Sequence, residues 1–114
     1  MMQTETIARP GLTSKRVSVA TAGSTLLVTA ATGQKVYVTA LWIYNDHTAA
    51  NVATVSQYNS TTSTVILEYG LPAGNGVAMN AGSGEPILIT PAGDGLHASW
   101  DTDDSPISLT YYQA

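Results

Sequence analysis

No stretch of this chain repeats its apolar residues with a helical period, whereas most of its length alternates apolar and polar residues between turn-forming clusters. Lys15 to Ala20 alternates, with Val17 and Val19 on one side. Ser24 to Thr29 follows and sets Leu26 beside Val28. Lys35 to Tyr44 is the longest candidate strand: Val36, Val38, Ala40, Trp42 and Tyr44 form one apolar row and Tyr37, Leu41 and Ile43 the other. Apolar residues on both faces predict a central or doubly covered strand, and Asn45-Asp46-His47 supplies the turn that ends it.

Val52 to Tyr58 and Thr64 to Tyr69 read as a pair joined through Asn59-Ser60-Thr61-Thr62, with Val65, Leu67 and Tyr69 on one side and Glu68 on the other. Three glycine turns follow, at residues 72–76, 81–84 and 91–95, where Asn75-Gly76 and Asp94-Gly95 favour tight hairpins. Short apolar pieces lie between them, Val77 to Met79 and Ile87 to Ile89. Leu96, Ala98 and Trp100 then alternate with His97 and Ser99, and Ile107, Leu109 and Tyr111 with Ser108, Thr110 and Tyr112. Eight or nine short strands at this spacing predict an all-β sandwich or barrel. Residues 1–14, broken by Pro10-Gly11, lack a strand pattern and read as an N-terminal arm or a frayed end; residues 15–114 form the β domain.

A chain of 114 residues is long enough for one apolar core without staples, and it has no cysteine to form a disulfide or a thiolate metal site. Charge is scarce at 11% of residues, and its two signs are separated. Arg9, Lys15, Arg16 and Lys35 are the whole basic complement; with Glu5 they leave the first 35 residues at +3, and the rest at −7. Soluble surfaces usually intersperse the signs, so the front of the chain is expected to face something acidic. Low charge also suits a surface covered by neighbours, although abundant hydroxyls follow equally from strand preference.

The segment from Met1 to Ile7 has no apolar h-region, and no run approaches the length of a bilayer span, so neither a secretory signal nor a membrane partner is expected. An overall charge of −4 with four basic residues argues against nucleic acid.

The chemical candidates are weak. Asp101, Asp103 and Asp104 offer carboxylates to a hard cation, but Pro106 stands where an EF-hand requires glycine and Tyr112 where it requires glutamate, so an ordinary turn is the preferred reading. His47 and His97 are too few for a three-histidine zinc site; His97 is expected on the polar face of its strand. Asp46-His47 with a distant serine would make a triad, yet no Gly-x-Ser-x-Gly elbow selects that serine. Glu68, Glu85 and the Asp101 cluster are few for a glycosidase pair, and the glycine loops lack the Gly-Lys-Ser/Thr ending of a phosphate cradle. No enzyme activity and no cofactor are expected. Trp42 and Trp100 are expected in the core. Of Tyr111-Tyr112 one ring must leave the core side, because neighbours on a strand point oppositely.

Ser24-Thr25-Leu26-Leu27, then Ala31-Thr32-Gly33-Gln34-Lys35-Val36, then an apolar strand ending at Asn45, resembles the opening of a group of small phage virion proteins. Leu71-Pro72-Ala73-Gly74, Asn80-Ala81-Gly82-Ser83-Gly84 and a last strand ending in tyrosine extend the likeness over residues 24–113. The resemblance implies a jelly-roll-like antiparallel sandwich in a virion, often a capsid decoration (cement) protein on the capsid surface, assembled in the host cytoplasm. Its expected partners are the major capsid protein and further copies in a dimer or trimer. Partner contacts are expected from Ile7, Arg9, Lys15, Arg16 and Tyr112. The alternatives are a carbohydrate-binding or receptor-adhesion module with its site in the glycine loops, and a head–tail joining or tail accessory subunit.

Overall fold

A computed structural model of the chain describes residues 11–21, 23–81 and 84–114; Ile7 and Arg9 lie outside the described residues. It is built from nine strands: β1 (Thr13–Val19), β2 (Thr25–Val28), β3 (Val36–Tyr44), β4 (Asn51–Tyr58), β5 (Ser63–Leu71), β6 (Gly76–Asn80), β7 (Leu88–Ile89), β8 (Gly95–Trp100) and β9 (Ser105–Gln113). All pairings are antiparallel. One sheet runs β1-β9-β3-β6, with β7 also pairing β3; the other runs β2-β8-β4-β5. The chain crosses from one sheet to the other at every connection except β4–β5 and β6–β7, and the two strand orders are those of two Greek keys, so the sandwich is jelly-roll-like. Lys15 and Arg16 belong to β1, which begins at Thr13.

The core lies between the sheets, where the inward rows meet. Val36, Val38, Leu41, Ile43, Ile107 and Leu109 from one sheet pack against Leu27, Val28, Ala53, Val55, Leu96, Ala98 and Trp100 from the other. Trp100 is 1% exposed, and its indole N–H donates to the Ser105 carbonyl at 2.9 Å. A buried indole without that acceptor would lose a hydrogen bond to water without replacing it.

Three bulges change the faces expected from simple alternation. Val38 and Ala40 are opposite Tyr111 and Thr110, neighbours on β9, so Thr39 is an extra residue in β3. The strand's phase reverses there: Val36 and Val38 face the core before the bulge, Leu41 and Ile43 after it. Ala40, Trp42 and Tyr44 turn outward, and Trp42 is 61% exposed. The expectation of a core role thus holds for Trp100 and fails for Trp42. Leu27 is extra in β2, which buries Leu27 and Val28 and turns Leu26 out. Ile66 is extra in β5, so Val65 leaves the face of Leu67 and Tyr69 and is exposed. An unpaired extra residue shifts every later side chain by one position.

The glycine turns also differ from expectation. Asn75-Gly76 and Asp94-Gly95 do not form hairpins. Instead Asn75 N–H donates to Pro72 O and Asp94 N–H to Pro91 O, both at 3.1 Å, with Gly74 and Gly93 at φ of 72° and 88°. Gln34 N–H donates to Ala31 O around Gly33 in the same way. A positive φ at the third position is the type II pattern, which favours glycine. All three turns are corners where the chain leaves one sheet for the other. The expected pair joined through residues 59–62 is present as the β4–β5 hairpin, whose turn is held by Asn59 Oδ1 accepting from the N–H groups of Thr61 and Thr62.

Candidate functional site: the outer face of the β1-β9-β3-β6 sheet

Antiparallel partners share a face, so the register fixes what the first sheet shows to its surroundings. One row across the four strands is Ser14, Thr110, Ala40, Asn80; the next is Arg16, Ser108, Trp42, Ala78. Tyr112, Tyr37 and Ile89 form a third row on the other side of the Thr39 bulge. Tyr44 lies opposite Gly76, whose missing side chain leaves room beside the ring: a Cβ there would stand 3.2 Å from Tyr44 Cδ1. Between the first two rows runs a shallow groove of about 480 Å³. Ala40 and Ala78 give it a low apolar floor, and Trp42 and Arg16 rise from strands on either side of Ser108.

This face carries four aromatic rings (Tyr37, Trp42, Tyr44, Tyr112), one cation and no carboxylate among its outward positions on the five strands. No carboxylate of the described residues lies within ion-pair distance of Arg16. Asp46, just beyond β3, shares a second hollow with Arg16, Ser18 and Pro106. Ser14 and Thr110 share one hydroxyl–hydroxyl hydrogen bond of 2.8 Å.

The residues expected to bind a partner divide. Arg16 and Tyr112 stand on this face. Lys15 points the other way, sharing a face with inward Leu109, and its ammonium reaches the ring of Tyr111 at 5.5 Å. Ile7 and Arg9 lie outside the described residues. Trp42, Tyr44 and Tyr37 are not among the partner residues expected from sequence; what brings them onto one face is the phase reversal at Thr39, which the alternation does not mark.

The acidic turn is taken up by local hydrogen bonds. Asp101 Oδ1 accepts from Val52 N–H at 2.7 Å, Asp104 Oδ1 from Thr21 N–H at 3.1 Å, and Asp103 Oδ2 meets His47 Nδ1 at 2.9 Å. The three carboxylates serve three different segments, and among the described residues no three metal-binding side chains gather at one point.

Asp46, His47 and a serine do come together, but not as a relay. Ser105 Oγ donates to Asp46 Oδ1 at 2.8 Å, while His47 pairs with Asp103. His97 occupies the polar face, as its alternation predicts, with Nε2 2.7 Å from Ser63 Oγ and its ring stacked on Tyr58. Burial holds this imidazole below its ordinary pKa. Among the described residues no carboxylate orients its other nitrogen, the element that a serine–histidine–acid relay needs.

No model of a known protein family matches the chain, and no curated protein matches it in sequence.

Proposed function

We propose that this chain is a structural subunit of a phage particle: a decoration (cement) protein that binds the outside of the major capsid shell and stabilises it without chemistry. The observation that carries the reading is the outer β1-β9-β3-β6 face. Trp, Tyr and Arg are the residues that dominate protein–protein binding energy, and charge is depleted at the centre of such patches. Here those residues gather on one sheet, free of carboxylates, in a chain whose residues beyond 35 carry only negative side chains. The likeness of residues 24–113 to small virion sandwich proteins supplies the setting.

Many copies, each bound weakly, would hold neighbouring capsid subunits together by multivalency. The N-terminal arm with Ile7 and Arg9 adds contacts beyond the sheet. Association of copies into a dimer or trimer is supported by the β5 edge, nine residues without lysine or proline and unpaired on its far side among the described residues. The β1 edge, by contrast, carries Lys15 and Arg16, which discourage strand addition.

Cryo-microscopy of the particle tests the reading. Many copies distributed over the shell support decoration; a single ring at one vertex would make it a joining subunit, and absence from the particle would refute both.

A further inference from the structure

The geometry points to the groove between Arg16 and Trp42 as the seat of an acidic segment of another protein, one carboxylate on the guanidinium and an apolar side chain over the indole. This deepens the binding role proposed above and rests on it. Arg16 and Trp42 are both register partners of Ser108, so one strand separates them and their backbones stand roughly 10 Å apart. An extended chain laid across the sheet rises about 3.3 Å per residue, so alternate residues, which share a face, lie about 6.6 Å apart, and the long Arg16 side chain leaning over Ser108 covers the remaining few ångströms.

Charge selects the sign of the occupant. The guanidinium has no ion-pair partner among the described residues, its own sheet face offers none, and its fork favours a bidentate carboxylate. A cationic segment would meet Arg16 with like charge and find no acid on the floor.

The floor selects a protein over a sugar. Ala40 and Ala78 offer no side-chain hydrogen bonds beside Trp42, and of the groove's hydroxyls Ser14 and Thr110 share one hydrogen bond with each other while Ser108 lies between Arg16 and Trp42. A sugar ring over Trp42 would set hydroxyls against these two alanines, whereas an aliphatic or aromatic side chain there gives up no hydrogen bond to water.

The two tryptophans make the test optical, because Trp42 is exposed and Trp100 is not. The full chain is titrated with a synthetic peptide repeating Glu-Ser-Leu-Ser, in which glutamate and leucine share one face of the extended strand, and in parallel with its Lys-Ser-Leu-Ser counterpart and with polygalacturonate. The expected result is a blue shift and loss of acrylamide quenching with the glutamate peptide alone, saturable and weakened by salt. R16E and R16Q should each weaken it at least about tenfold, the factor that corresponds to one charge-assisted contact. W42F should abolish the optical change; circular dichroism identical to the parent shows that these variants fold. No shift with the glutamate peptide, an equal shift with the lysine peptide or with R16Q, or binding of polygalacturonate instead overturns the assignment. So does a blue shift that grows with protein concentration alone, which would mean that a second copy fills the groove. If the peptide fails while the protein still decorates particles, the groove is wrong and the particle reading stands; if the protein is absent from particles, that reading fails whatever the peptide does.

Discussion

Tyr37 and Tyr112 face each other across β3 and β9 with ring centroids 4.7 Å apart and planes 5° from parallel. The stack lies on the outer side of the sheet, one row beyond the bulge from Trp42. It joins the two rings into one stacked pair beside the row of Ser14, Thr110, Ala40 and Asn80. Replacing either ring by alanine removes the pair, which contributes about 0.5–1.5 kcal/mol beyond its buried area. Urea unfolding of Y37A, Y112A and the double variant should give a coupling energy in that range. A coupling near zero would mean that the stack adds nothing to the fold.

Asn45 ends β3 from a fully buried position. Its Nδ2 donates to the carbonyls of Ala49, Leu71 and Pro72 at 3.0–3.1 Å, and its Oδ1 accepts from His47 N–H. One side chain therefore ties the loop after β3 to the turn after β5 at this end of the sandwich. N45A would leave the buried Leu71 carbonyl without its donor, at about 1–3 kcal/mol if water does not enter, and would also free the partly buried carbonyls of Ala49 and Pro72. A loss of at least ~2 kcal/mol in chemical denaturation is expected, and a change below ~0.5 kcal/mol would contradict the buried network.

Gly95 opens β8 where β2 turns towards β3. A Cβ there would lie 2.3 Å from Val28 O and 2.6 Å from Ala30 N, both backbone atoms that have little freedom to retreat. G95A should cost about 3 kcal/mol, at the upper end of overpacking. Gly74 faces open space and needs only its positive φ, so G74A should cost less, about 1 kcal/mol. Thermal melts of the two variants compare them directly.

His97 gives stability a pH dependence. Burial lowers its folded pKa below the ordinary 6.5, so the unfolded chain takes up this proton more readily. The folded state therefore keeps its full stability above about pH 6.5 and loses some as the pH falls below that value, until folded His97 itself protonates. H97Q should flatten this part of the curve, measured as urea midpoints from about pH 7.5 down to about pH 5.5. An identical slope in H97Q would assign it to other groups.

The strands, their succession along the chain and the single core follow from alternation and turn residues, because burial against a second sheet imposes a period of two. Alternation carries no mark of a bulge, however, and each of the three bulges misplaces an apolar residue. Trp42, Leu26 and Val65 look like core residues in the sequence and are outside in the fold. Thr39 in β3 matters most, because reversing the phase there creates the aromatic face. The corners show a similar limit: Pro72-Ala73-Gly74-Asn75 signals a turn, but whether the next strand pairs with the last or crosses to the other sheet depends on tertiary packing. Arg16 and Tyr112 were legible as surface residues from strand parity alone, whereas their common face required the pairing of β1 and β3 on either side of β9.

Co-sedimentation of the purified chain with undecorated particles tests the central claim most directly, that this sheet face grips an acidic protein surface. Wild type should bind in a salt-sensitive way, and W42A and R16E should each lower occupancy at least about tenfold while remaining folded. Binding by W42A and R16E equal to that of wild type would contradict the account.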